Sequence, residues 1–246
     1  MKLKERIAIV TGGSQGFGKA MAEELAKEGA HVIVVNRTAE KGIETAREIN
    51  SKGGKASAIA CDVSKMGDVE NLVDRVKGEF QRIDILINNA GIIRPAMLHK
   101  MTEEQWEEVI RINLTGYFIG LNQVSKVMIA QNYGRILNIS SVAGERGTIG
   151  QINYGAAKAG VHGLTKSAAK ELARYGITVN AIAAGPFKSP MTDNMPQDIK
   201  EKSIKEIPLG RMGEPWELAR LALFLVSDDA AYITGQIIGI NGGIYM

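Results

Sequence analysis

The sequence predicts an α/β protein built on a doubly wound, seven-stranded parallel sheet with helices on both faces. Three observations predict it. Short apolar runs alternate with long amphipathic stretches along the whole chain. Most of those runs are near-continuous Ile, Val, Ala and Leu instead of alternating, the mark of parallel strands covered on both faces. The length, 246 residues, suits one α/β unit, which often reaches about 250 residues.

The strands are expected at Ile7–Val10, His31–Val35, Ala56–Ala60, Ile83–Ile87, Arg135–Ile139, Thr178–Ile182 and Gln236–Ile240. The helices between them are expected over about Gly16–Glu28, Glu40–Ser51, Lys65–Phe80, Glu103–Gln131, Tyr154–Arg174 and Trp216–Val226. Thr102 with Gln105 reads as a capping box, and Ser64 as an N-cap. No repeat, low-complexity tract or linker interrupts the chain, so residues 1–246 are expected to form a single domain. The longest non-periodic stretch, from about Ala183 to Pro215, carries five of the six prolines. Loops that long in a compact domain are usually functional, so a substrate loop is expected around 188–210.

Composition narrows the class. Apolar residues are 45% and charged residues 23%, which argues against a disordered chain. The 30 Lys and Arg against 27 Asp and Glu are interspersed. The one dense cluster, Lys200-Glu201-Lys202 with Lys205-Glu206, alternates in sign and reads as a solvated face, not a nucleic-acid patch. Cys61 is alone, so no internal disulfide forms; at the end of an apolar run it reads as a small buried hydrophobe. No apolar stretch approaches the roughly 20 residues of a membrane span, and Met1–Arg6 pass into a strand without a secretory core. A reducing, cytoplasmic setting is expected.

Glycine is in surplus, with 28 residues, and its placement is informative. The first strand runs into Thr11-Gly-Gly-Ser-Gln-Gly-Phe-Gly18, and a helix opens there. Such a turn aims backbone N–H groups and a helix N-terminus at one place, which suits a pyrophosphate. Gly12, Ser14, Gly16, Phe17 and Gly18 are therefore candidate cofactor residues; a plain glycine turn is the alternative reading. The second strand ends before Asn36-Arg37, where an acid would bind the ribose hydroxyls of NAD. Here Asn36 is neutral and Arg37 is a cation that forks onto a 2′-phosphate, so NADP(H) is expected over NAD(H). The alternative is an Arg37 that is merely solvated. Further on, Ser141 closes a strand, and Tyr154 and Lys158 stand at i and i+4 on one helix face. An ammonium beside a phenol favours phenolate, and such a Tyr exchanges a proton with a carbonyl or alcohol oxygen.

Taken with Asp62, Asn88-Asn-Ala-Gly91, Asn113 and Ile233-Thr-Gly-Gln236, these motifs make the chain resemble a short-chain dehydrogenase/reductase over its whole length. Within that family it is most similar to the 3-oxoacyl-(acyl-carrier-protein) reductases, on Ile207–Pro215 and the ending Ile240–Met246. The resemblance implies a Rossmann fold, a dinucleotide-binding catalytic domain and no metal. It implies Tyr154 as general acid/base, Lys158 lowering its pKa and binding the nicotinamide ribose, and Ser141 steadying the developing alkoxide. Asn113 would hold a relay water. Asp62 and Val63 would contact the adenine, and Asn89, Ala90 and Gly91 would floor the cofactor site. Gly185, the Phe187 backbone and Thr192 would lie at the nicotinamide end. Ser140 is implied to be a bystander.

The chain departs from the family's pattern at Ala184-Gly185-Pro186, where Pro-Gly is common, and at Phe17, where Ile is common. Family members that bind carrier protein use basic residues where this chain has Asn132 and Tyr175; Lys126, Arg135 and Arg174 lie nearby. The expected reaction is NADPH-dependent reduction of a 3-oxoacyl thioester. The alternatives are reduction or oxidation of another ketone, sugar or secondary alcohol, and a nucleotide-binding regulator without turnover. The family also implies a homotetramer packed through two long helices and the last strand.

Overall fold

The structure is a computed structural model and describes residues 1–189, 192 and 197–246. Among the described residues, one sheet holds seven parallel strands in the order β3-β2-β1-β4-β5-β6-β7. They are β1 (Ile7–Thr11), β2 (His31–Asn36), β3 (Lys55–Ala60), β4 (Ile85–Asn88), β5 (Gly134–Ser141), β6 (Ile177–Ala184) and β7 (Ile237–Ile240). The helices are α1 (Gly16–Lys27), α2 (Ala39–Ser51), α3 (Met66–Phe80), α4 (Glu103–Ile110), α5 (Gly116–Gln131), α6 (Ala143–Arg146), α7 (Ile152–Leu172), α8 (Gln197–Lys205) and α9 (Pro215–Val226).

Strand periodicity builds the layers. Ala8, Val10, Val32, Val34, Ile85 and Ile87 pack against α1, α2 and α9 on one face. Their neighbours Ile7, Ile9, Ile33, Val35 and Leu86 pack against α3, α5 and α7 on the other. Both faces are therefore buried, which is why the runs are continuously apolar. The strand order turns at β1 and β4, since β2 and β3 extend one way and β5 to β7 the other. The crevice beyond the carboxyl ends of strands at such a turn is where open α/β sheets bind ligands.

Several boundaries correct the sequence reading. β4 begins at Ile85, not Ile83, because the buried Asp84 carboxylate accepts the Ile7 N–H at 2.9 Å and precedes the regular ladder. Ser64 is not an N-cap. Its N–H and hydroxyl both bond Asp62 Oδ1, at 3.1 and 2.7 Å, and α3 starts later, after Lys65. The stretch Glu103–Gln131 is not one α-helix: a π turn over Arg111–Thr115 separates α4 from α5. α8 lies inside the stretch expected to be a loop, its mixed charges leaving little apolar period to read. Met191 and Met195, two methionines of the expected substrate loop around 188–210, lie outside the described residues.

The Thr102 capping box is present as expected, with Gln105 N–H donating to Thr102 Oγ1 at 3.3 Å and Thr102 N–H to Gln105 Oε1 at 3.0 Å.

Candidate active site

The glycine turn is a cradle that side chains would fill. Gly12 and Gly16 have φ of +63° and +50°, in the left-handed region that other residues avoid. A Cβ on Gly18 would collide with the Gly12 carbonyl oxygen, and one on Gly12 would lie 3.0 Å from Ala90 Cα. Asn89 ties the turn to β4: its Nδ2 donates to Thr11 O at 2.9 Å and to Gly12 O at 3.2 Å. The N–H groups of Asn89 and Ala90 both donate to Thr11 Oγ1, at 2.9 and 3.1 Å. Asn89 therefore holds the turn with its own side chain. α1 opens after Gln15, which makes no side-chain cap bond, and no acid stands in its first turn. The Phe17 ring meets Phe187 edge-on, with centroids 5.0 Å apart and planes at 86°. This packing accounts for Phe17 in the turn and fixes the turn against the loop after β6.

At the carboxyl end of β5 the two serines part. Ser140 is buried; its hydroxyl donates to Lys158 O at 3.0 Å and pairs with His162 Nε2 at 2.8 Å. Ser141 Oγ accepts the Ala143 N–H at 3.1 Å and faces the Tyr154 phenol. α7 carries Tyr154 and Lys158 to this point. Asn153, fully buried, anchors its first turn by donating to the carbonyls of Arg94 and Gln105, both at 3.0 Å, and by accepting the Tyr154 N–H at 2.8 Å. Lys158 Nζ donates to Ile139 O at 2.7 Å and to Tyr117 Oη at 3.1 Å, and lies 5.6 Å from the Tyr154 ring centroid. Asn113 sits in the π turn, fully buried, and clasps Ile92 with two 2.8 Å bonds, accepting its N–H and donating to its carbonyl. Gly91 passes directly over it, where a Cβ would come within 3.2 Å of Asn113 Oδ1.

A sequence profile described as "Enoyl-(Acyl carrier protein) reductase" matches residues 12–245 of this chain. Relatives named 3-oxoacyl-[acyl-carrier-protein] reductase are similar almost end to end. The one from Thermotoga maritima is 43% identical, with 99% of each chain covered. That of Staphylococcus aureus is 45% identical over 97% of this chain and 98% of its own, and that of Aquifex aeolicus 42% over 100% and 99%. The chain belongs to the short-chain dehydrogenase/reductase family. It is an NAD(P)-dependent oxidoreductase on a Rossmann-like sheet.

The residues of this dehydrogenase/reductase fit a nicotinamide dinucleotide. The cradle admits no Cβ at Gly18, and the amide of Asn36 is half satisfied. Asn36 Nδ2 donates to Ser14 Oγ at 2.6 Å, while the buried Asn36 Oδ1 has no partner. Arg37 is exposed beside them and makes no side-chain hydrogen bond or ion pair among the described residues. Asp62 accepts from Ser64 with Oδ1, and its N–H donates to Asp68 at 3.1 Å. Val63 packs where a Cβ on Gly116 would come within 3.2 Å. Gly185 lies against Asn241, 2.7 Å from where its Cβ would stand. Thr192 turns its hydroxyl inward, donating to Phe187 O at 2.9 Å, so its side chain closes its own loop.

Burial dominates the electrostatics of this pair. Burial raises the Tyr154 phenol above its ordinary value, and the Ser141 hydroxyl draws it only partly back. Desolvation brings Lys158 down to about 7, because its ammonium is enclosed and its two named partners are neutral oxygens. Burial likewise pushes Cys61 up to about 12, in line with a small hydrophobe and not a nucleophile.

Sequence reasoning missed Tyr117, Asn153 and the Ser140–His162 pair. Tyr117 carried a readable signal, since it stands four residues after Asn113 on one helical face. Asn153 and His162 carried none, because their partners come from distant segments.

Proposed function

We propose that this enzyme reduces 3-oxoacyl thioesters carried on acyl carrier protein to the 3-hydroxyacyl form, with NADPH as reductant. The observation that carries the reading is the pair of hydroxyls, Ser141 and Tyr154, facing each other beside Lys158 at the end of β5. The names of the relatives supply the substrate class. When bound, a nicotinamide cofactor would supply the hydride. Ser141 donates a hydrogen bond to the carbonyl oxygen, and Tyr154 gives its proton to that oxygen as negative charge develops. A phenol whose pKa is raised by burial keeps its proton until that moment, which suits an acid working in the reductive direction. Lys158 stands next to resupply the proton, and Asn113 fixes the strand-end loop through Ile92. The glycine turn, Ser14, Arg37, Asp62, Val63, Ala90 and Gly91 hold the dinucleotide. Arg37 opposite neutral Asn36 supports NADPH over NADH.

A second reading, a free ketone or secondary alcohol, is favoured by the carrier-facing positions. Asn132, which caps α5 in a left-handed conformation, and Tyr175, which lies against the Arg174 guanidinium, carry no positive charge. Arg135 is buried and paired with Asp228 at 2.9 Å, which removes it from a docking surface. Exposed Lys126 and Arg174 remain. We place the enzyme in the cytoplasm as a homotetramer whose protomer is one catalytic domain, with the substrate loop around 188–210.

The test is NADPH and NADH oxidation against acetoacetyl thioesters of carrier protein and coenzyme A, crotonyl thioesters and unrelated ketones. The reading expects acetoacetyl thioesters and NADPH to give the highest kcat/KM, and Tyr154→Phe to cost about 10²–10⁴-fold. A faster crotonyl substrate, a faster free ketone, a preference for NADH or an active Tyr154→Phe variant would each overturn the corresponding part.

A further inference from the structure

Lys158 does not rest on Tyr154. Its Nζ is held from beneath by a second tyrosine that the family reading gives no role. Tyr117 is 1% exposed and lies at the start of α5, just past the π turn. Its hydroxyl does two things at once. It donates to Ile139 O at 2.9 Å and accepts from Lys158 Nζ at 3.1 Å. Lys158 Nζ donates to the same Ile139 carbonyl at 2.7 Å, so the three groups close a triangle around one β5 oxygen. The Nζ lies 4.8 Å from the Tyr117 ring centroid, nearer than the 5.6 Å to that of Tyr154. An ammonium has three N–H donors. Two are spent in the triangle, which leaves one.

We propose that Tyr117 is a positioning residue of the active site, whose hydroxyl holds the Lys158 ammonium and leaves it a single N–H for the reaction. The inference rests on Lys158 acting with Tyr154, as proposed above. Tyr117 is not a proton exit. Its own proton is committed to a backbone carbonyl, which has no proton to pass on. Its effect on Lys158 is to give the buried charged form a second acceptor beside the Ile139 carbonyl, and hydrogen bonding to a charged form favours that form. Among the described residues, the titratable groups around Lys158 are Tyr117 from α5 and Tyr154 and His162 from α7. The ring nitrogen of His162 is already engaged by Ser140. Tyr117 is itself held well above the ordinary phenol range by burial, so it stays neutral and acts by its dipole alone.

The π turn explains why a tyrosine reaches this place. The turn holds Asn113, which reaches the Ile92 backbone, and ends just before Tyr117, which reaches β5 and Lys158. One irregular turn thus sets the places of both buried side chains.

The experiment is Tyr117→Phe in the full chain, with kcat and KM for acetoacetyl thioester reduction followed from pH 5 to 10. Without the hydroxyl the ammonium loses an acceptor, so the alkaline limb of kcat moves to lower pH by about one unit. KM for the thioester stays within about twofold, a split that a general loss of packing does not give. Titration of ¹³C-labelled lysine in the same variant shows the Lys158 resonance shifting in the same direction. An unmoved limb and an unmoved Lys158 resonance overturn the inference. Should the variant fold poorly, the parent protein still decides. Through-space contacts between the Lys158 ε-protons and the Tyr117 ring are required, and their absence overturns it. Lys158→Met separates the two readings: if it retains turnover the proposed chemistry fails, whereas a dead Lys158→Met with an unmoved Tyr117→Phe fails this inference alone.

Discussion

Lys158 shows at the scale of one residue what a buried charge costs and what it is kept for. It is 3% exposed, and its folded pKa is about 7 against an ordinary 10.5. Between those values the unfolded chain binds one more proton than the folded one, so stability rises with pH from about 7 to about 10.5. Below about 7 the full cost of enclosing the ammonium is present. Lys158→Met removes that cost. It is expected to raise the urea midpoint at pH 6 by the equivalent of a few kcal/mol, and by less at pH 9.5, with turnover lost. Equal midpoints at both pH values would contradict the depressed pKa. Ser140 and Ser141 make the complementary point. Adjacent on a strand, they point to opposite sides, and only the fold tells which hydroxyl meets His162 and which meets the phenol.

At the scale of elements, the long helix between β4 and β5 is two α-helices and a π turn, and its start is set by a local rule. Thr102 and Gln105 satisfy each other's backbone N–H groups before α4 begins. Thr102→Ala is expected to lower stability by about 1 kcal/mol with little change in kcat, read as a denaturant midpoint beside a standard assay. α4 also touches the site at second hand, because Asn153 donates to the Gln105 carbonyl. A large loss of kcat in Thr102→Ala would show that this connection is mechanically tight. Capping was legible in the sequence since it spans three residues. The π turn was not, because its wider register repays only when Asn113 finds the Ile92 backbone.

At the scale of the whole molecule, the catalytic end of the sheet is balanced by an ionic closure at the opposite end. Asp84, fully buried, accepts from the Ile7 N–H at 2.9 Å, from Arg6 at 3.3 Å and from Arg82 Nε at 2.9 Å. Tyr133 lies between the guanidinium groups of Arg6 and Arg135, 4.0 and 4.4 Å from its ring centroid, and donates to Asp228 at 3.0 Å. This joins the amino ends of β1, β4 and β5 to the turn after α9. Asp84→Ala strands the buried Ile7 N–H, while Arg6 keeps Asp228 and Arg82 is half exposed, and is expected to cost about 1–3 kcal/mol. Asp84→Asn keeps an acceptor for Ile7 and should cost less; equal losses in urea unfolding would refute that account. Against the opposing effect of burial, the Tyr133 hydrogen bond and then the Arg6 and Arg135 charges hold the Asp228 carboxyl below its usual range. Its stabilising share is present above the ordinary 3.8 and fades as pH falls through the lower folded value.

The sequence by itself determined the seven parallel strands, most of the helices between them, the glycine turn and the shared helix face of Tyr154 and Lys158, because each is written in short-range period or spacing. Twofold and 3.6-residue periods record which side of an element is buried, and glycine records where a Cβ has no room. Only the tertiary structure decided that burial raises the Tyr154 phenol, that Lys158 rests on Tyr117 and Ile139, that Asn113 serves Ile92 with its amide, and that Ser64 turns back on Asp62. Desolvation and long-range hydrogen bonds depend on which distant segments close around a group. That is fixed when the sheet is assembled, not when the residues are strung together.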